Sequence, residues 1–105
     1  MSDNITIKLG GQDVELVPSL KASQAIQKKF GGLTPAMQAT SQLSADTAVA
    51  IIAAATETKG EAALAALHEK VFAAGLLPLT GPLVKYLVRL GHGGRDPDDI
   101  EDDAA

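Results

Sequence analysis

Near its start the chain alternates apolar and polar residues with a period of two. Ile5, Ile7 and Leu9 flank Thr6 and Lys8, and Val14 and Leu16 follow Asp13 and flank Glu15. Gly10-Gly11 lies between the two runs and supplies the positive φ that a tight hairpin turn requires, so strands are predicted at about 4–9 and 12–17. A lone hairpin is marginal in water, and its apolar face must therefore rest on something else. After Pro18-Ser19 the period changes. Ala22, Ile26 and Phe30 recur every four residues with Lys21, Gln24, Lys28 and Lys29 on the wet side, which predicts a helix closed by Gly31-Gly32. LTPAMQATSQL predicts a second, short helix with Thr34 as its cap, Pro35 in its first position, and Leu33, Met37 and Thr40 on one side.

The following stretch, SADTAVAIIAAATE from Ser44 to Glu57, is the least polar of its length. From Ala48 to Ala55 no side chain can hydrogen-bond, so a helix here is apolar on all sides and belongs in the middle of the fold. Ser44 is placed to cap it, and Asp46 to complement the positive end of its dipole. Thr58 and Glu61 have the spacing of a capping box, predicting a fourth helix with a core stripe of Leu64, Leu67, Val71 and Ala74, ended by Gly75. In LLPLTGP, Pro78, Gly81 and Pro82 argue against a continuous helix. Leu76, Leu77 and Leu79 then either plug one end of the core or stay partly exposed. A fifth helix at about 82–91 is expected to turn Leu83, Leu87 and Leu90 inward and Lys85 and Arg89 outward. The fold class this describes is mainly α: a small bundle of about five helices with an N-terminal β-hairpin packed on it. It forms a single domain over 1–91, followed by a flexible acidic tail over 92–105.

Composition sharpens this picture. Hydrophobic residues make up 46% of the 105 positions but aromatic ones only 3%, so the core is built of small aliphatic side chains. With no cysteine there can be neither a disulfide framework nor a thiolate metal site. The net charge of −4 is unevenly distributed: six of the 13 acids lie between Asp96 and Asp103, leaving seven acids against nine Lys and Arg in a faintly basic body. No dense basic patch suggests nucleic acid, no apolar run reaches the ~20 residues of a membrane span, and MSDNITIKLGG lacks the features of a secretion signal. A cytoplasmic location is expected.

DPDDIEDD lacks the turn glycine and flanking helices of a calcium loop. His68 and His92 have no metal-ligand spacing and read as solvated. Ser19, Ser23, Ser41 and Ser44 sit at caps or within helices rather than at a nucleophile elbow, and GHGGR has neither the preceding strand nor the following Lys-Ser/Thr of a phosphate loop. No catalytic, cofactor-binding or metal-binding residue is expected, and the chain reads as a protein that is not an enzyme. Phe72, Leu76, Leu77, Leu79 and Tyr86 remain as candidates for partner binding, with completion of the core as the alternative for each.

The order of pieces carries a resemblance. ITIKLGGQDVELVPS, LKASQAIQKKFGG, LTPAMQAT, ADTAVAIIAAAT, EAALAALHEKVFAAG and GPLVKYLVRLG together resemble the phage tail assembly chaperones of siphophage-type tails, most of all those of the gene transfer agent type. The similarity spans roughly residues 5–91. It implies a non-enzymatic role in phage or prophage virion assembly: binding the tape measure protein and keeping it soluble until tail tube subunits polymerise around it. The tail tube protein is then a second partner, and a homo-oligomer is left open. Two alternatives stand beside this reading, a structural tail or neck component retained in the particle and an unrelated small helical adaptor for other proteins.

Overall fold

The computed structural model describes residues 4–94, and the expectation of a flexible tail beyond residue 94 lies outside them. The described residues form an antiparallel hairpin, β1 (Ile5–Leu9) and β2 (Gln12–Leu16), then helices α1 (Leu20–Phe30), α2 (Leu33–Ser41), α3 (Ala45–Thr56), α4 (Glu61–Ala74) and α5 (Leu76–Gly91). This is the mainly helical fold with an N-terminal hairpin that the periodicities predict.

In the hairpin Ile5 pairs with Leu16, Ile7 with Val14 and Leu9 with Gln12. Gly10 and Gly11, at φ +61° and +80°, make the two-residue turn whose twist matches that of the strands. The register puts Ile5, Ile7, Leu9 and Leu16 on one buried face, packed on α3, α4 and α5.

α3 runs through the middle and touches β2 and all four other helices. Ser44 caps it, its hydroxyl accepting from the Thr47 amide, and Asp46 lies in its first turn. Ile51 and Ile52 are fully enclosed and Ala48, Val49 and Ala55 nearly so, whereas Ala50, Ala53 and Ala54 are only half-buried. At its end Glu57 sits in the left-handed region at φ +57°, its amide donating to the Ala53 carbonyl. α1 is capped by the Ser19 hydroxyl accepting from the Ala22 amide, and Gly31 closes it in the left-handed conformation.

Several expectations are corrected. α2 begins at Leu33 with Gly32 as its cap, so Thr34 is not the cap and Pro35 occupies the third helical position, where a missing amide hydrogen is also harmless. The Thr58–Glu61 capping box does not form. The Thr58 amide donates to the Ala53 carbonyl and its hydroxyl meets that of Thr56 at 2.7 Å, so Thr58 completes α3 and Gly60 caps α4.

The predicted break at LLPLTGP is absent. α5 starts at Leu76 after a 113° corner at Gly75 and runs through Pro78, Gly81 and Pro82. Pro78 falls in the first turn, where the amide has no intrahelical acceptor. The residue before Pro82 is Gly81, which has no Cβ to clash with the ring and so remains helical at low cost. The Thr80 hydroxyl donates to the Leu76 carbonyl, and Leu79 is buried by the resulting turn.

Leu83, Leu87 and Leu90 point inward as expected, but Arg89 does too. Its Nη1 donates to the Asn4 carbonyl at 3.4 Å, because the hairpin covers that side of α5 and the long aliphatic stem lies beneath it. Residues 92–94 are not part of a tail. They form the turn that ends α5, with the Gly94 amide donating to the Arg89 carbonyl. No single helix among the described residues is long and apolar enough to cross a membrane.

Candidate functional site: an alanine-floored groove

The half-buried alanines of α3 form the floor of a groove of about 550 Å³ bounded by α1 on one side and by the α3–α4 connection and α4 on the other. Helical spacing builds it. On α3, Ala50, Ala53 and Ala54 fall at i, i+3 and i+4 and so share one face. On α1, Lys21, Ala25 and Lys29 fall at intervals of four and form one wall, with Ile26 and Phe30 beneath them. From α4, Leu64 and His68, again four apart, close the opposite side. The groove exists because the floor ends at methyl groups: larger aliphatic side chains there would fill the space between α1 and α4.

The rim is ionic. At one end Lys21 Nζ lies 3.7 Å from Glu57 Oε1, both exposed, an interaction worth no more than about 1 kcal/mol. At the other end His68 spans the gap between α4 and α3, with Nε2 3.1 Å from Asp46 Oδ1 and Nδ1 3.2 Å from the Leu64 carbonyl. Both partners are acceptors, so the imidazolium satisfies both while a neutral ring can donate to only one. The His68 pKa is accordingly raised above 6.5, first by the hydrogen bond to Asp46 and then by that to Leu64. His68 is exposed on the face of α4, as expected, and in addition bridges from there to Asp46 on α3. Among the described residues, Lys29 and Lys59 make no ion pair, so with Asp46 and Glu57 each facing a cation the charge left over on the rim is positive.

The five residues picked out for partner binding do not converge here. Tyr86 is completely buried, and its hydroxyl donates to the Val17 carbonyl at 2.6 Å. Burial raises its pKa well above the usual phenol range. Leu79 is 3% exposed and forms part of a second depression, of about 490 Å³, between the hairpin turn and the α4–α5 corner. These two therefore hold the fold together and present no surface to a partner. Leu76 is half-buried against the core. Phe72 and Leu77 are open to solvent at 85% and 74%, so for Phe72 the core alternative is excluded.

Sequence reasoning missed the groove because each of its walls reads locally as ordinary helix surface. The available signal was the contrast within α3, where Ile51 and Ile52 turn away from the side that carries Ala50, Ala53 and Ala54. Among the described residues no group of three or more His, Cys, Asp or Glu side chains is arranged to hold a metal ion. No protein-family model, curated protein or solved structure matches the chain.

Proposed function

We propose that this chain is a non-enzymatic tail assembly chaperone of the siphophage and gene transfer agent type. In this reading it holds a helical segment of a tape measure protein in the groove between α1, α3 and α4 while the tail is built in the host cytoplasm. The observation that carries the reading is the apolar floor left open among the described residues. A client helix laid over Ala50, Ala53 and Ala54 approaches the α3 backbone closely, and its ridge of apolar side chains, recurring every three to four residues, enters the space that the alanines leave. Lys29 and Lys59 favour a client with acidic residues beside that ridge. The contact is small and ringed by long, exposed lysines, which suits reversible capture: the client must be given up when tube subunits assemble around it. The order of hairpin and helices, which resembles that of the tail assembly chaperones, supports the same reading.

The test is co-expression with the tape measure protein. The wild-type chain is expected to keep that client soluble and to co-purify with it. Ala53→Glu, which places a carboxylate over the floor while leaving the buried face of α3 untouched, is expected to lose the complex yet retain the helical circular dichroism spectrum. Mass spectrometry of purified particles is expected to lack the chain. Its presence there would replace the chaperone with a structural tail or neck component, and an insoluble client with no complex would favour an adaptor for other proteins.

A further inference from the structure

We infer that the outer edge of β1 takes an extended peptide as a third strand, holding an acidic residue of that peptide beside Lys8 and an apolar one in the depression between β1 and the α4–α5 corner. The site shares no residue with the groove floored by α3 and does not depend on the chaperone reading.

The backbone supplies the first observation. The two-residue turn makes Leu9–Gln12, Ile7–Val14 and Ile5–Leu16 the pairs that exchange hydrogen bonds, so the N–H and C=O groups of Thr6 and Lys8 point away from β2. Among the described residues none of these four groups has a partner. The edge is closed at its start, where Arg89 Nη1 donates to the Asn4 carbonyl at 3.4 Å.

The second observation is shape. The depression of about 490 Å³ touches Thr6, Ile7, Lys8 and the turn but no residue of β2, so it lies along the open edge. Its far wall is Ala73 and Ala74 of α4 with Pro78 and Pro82, one turn apart on α5. An antiparallel strand laid on that edge exchanges hydrogen bonds with Thr6 and Lys8. Its residue opposite Ile7 turns its side chain to the same face as Ile7, towards the wall, while the residues on either side face outward, one of them directly beside Lys8. An open strand edge facing a helix is the geometry of peptide recognition by strand addition.

Charge selects the occupant. Lys8 and Lys70 stand near the turn, the Lys70 stem 3.7 Å from where a Cβ on Gly10 would lie. Lys8 meets Asp13 at 3.4 Å, both exposed, and Lys70 makes no ion pair among the described residues, so positive charge is left over. This matches a carboxylate on the peptide. It opposes a second copy, whose β1 would bring its own Lys8 and Lys70, with its own α4 and α5 behind them, to the same place. A lysine on an open strand is a common guard against such self-pairing.

The test adds the synthetic peptide acetyl-TVEVTVT-amide to the full-length chain and follows amide hydrogen exchange by NMR. Its Glu falls opposite Lys8 and its central Val opposite Ile7. At about ten times its Kd, the Thr6 and Lys8 amides are expected to exchange ~10-fold more slowly. The same peptide N-methylated at its Glu and at the Thr after the central Val keeps every side chain but cannot donate to Lys8 and Thr6, and is expected to give no protection. Lys8→Glu should weaken binding by about 2–5-fold, and Ala73→Glu should fill the depression and remove the protection, both at exposed positions where folding is not at risk. Unchanged Thr6 and Lys8 amides at millimolar peptide would overturn the inference, as would equal binding of the N-methylated peptide. So would protection of these two amides in the chain alone, and growth of that protection with protein concentration would make a second copy the occupant.

Discussion

Tyr86 offers the clearest quantitative test of the fold. It is the one tyrosine, it is completely enclosed, and its hydroxyl reaches across 69 positions of sequence to the Val17 carbonyl at 2.6 Å. Tyr86→Phe deletes only that hydroxyl. The Val17 carbonyl keeps a second donor in the Ser19 amide at 2.9 Å, so no buried acceptor is stranded and the desolvation penalty of an orphaned group does not apply. What is lost is the net worth of one hydrogen bond, about 1 kcal/mol. For a domain of this size that corresponds to a fall in Tm of about 4–8 °C. Tyr86→Ala removes the ring as well and leaves a cavity in the core, for which about 3–5 kcal/mol is expected. That approaches the whole stability of a 105-residue protein, roughly 5–15 kcal/mol. Thermal melts followed by circular dichroism, with urea titrations for the free energies, measure both. If Tyr86→Phe melts with wild type, the hydroxyl is not bonded as described. If Tyr86→Ala stays folded and loses only partner binding, Tyr86 is a surface contact and the packing of α5 on the hairpin is wrong.

Other perturbations probe separate parts of the molecule. Ile52→Asp buries an unpaired carboxylate at a fully enclosed position and is expected to cost more than ~4 kcal/mol, seen as loss of the cooperative melt. Because the folded pKa of His68 is raised, its stabilising contribution is complete below pH ~6.5 and fades as pH rises through the higher folded value. Asp46→Asn is expected to move the His68 titration, followed by NMR, back toward 6.5, and an unchanged midpoint would refute the strut between α3 and α4. Glu57→Gly relieves a left-handed residue at the cost of an exposed ion pair, and a gain of about 0.5–1 kcal/mol is expected in urea titration. Phe72→Ser, at a side chain 85% exposed, is expected to change the free energy by less than ~0.5 kcal/mol while lowering surface apolarity, measured as reduced binding of a hydrophobic dye.

Much of the fold was legible along the chain because local rules agree with one another there. The alternation of Ile5, Ile7 and Leu9 about Gly10-Gly11, the caps Ser19 and Ser44, and the unbroken apolar run of α3 each need information only from residues within a turn or two. By themselves they determined a hairpin, five helices and a central α3. Where prediction failed, two local signals competed. Proline and glycine in LLPLTGP read as a break, yet the first-turn position of Pro78 and the missing Cβ of Gly81 let the helix continue. Thr58 had the spacing of a cap but was taken first by the end of α3.

The groove, the enclosure of Tyr86 and Leu79, the exposure of Phe72 and the inward turn of Arg89 were settled only by tertiary packing. Each depends on which neighbour covers a given face, and that neighbour comes from a distant part of the chain: the hairpin over α5, Asp46 reaching His68 across 22 positions, α1 set opposite α4 with alanines between them. A sequence pattern states which side of a helix prefers to leave water. Whether that side is then covered, and by what, is decided by how the helices are arranged around it.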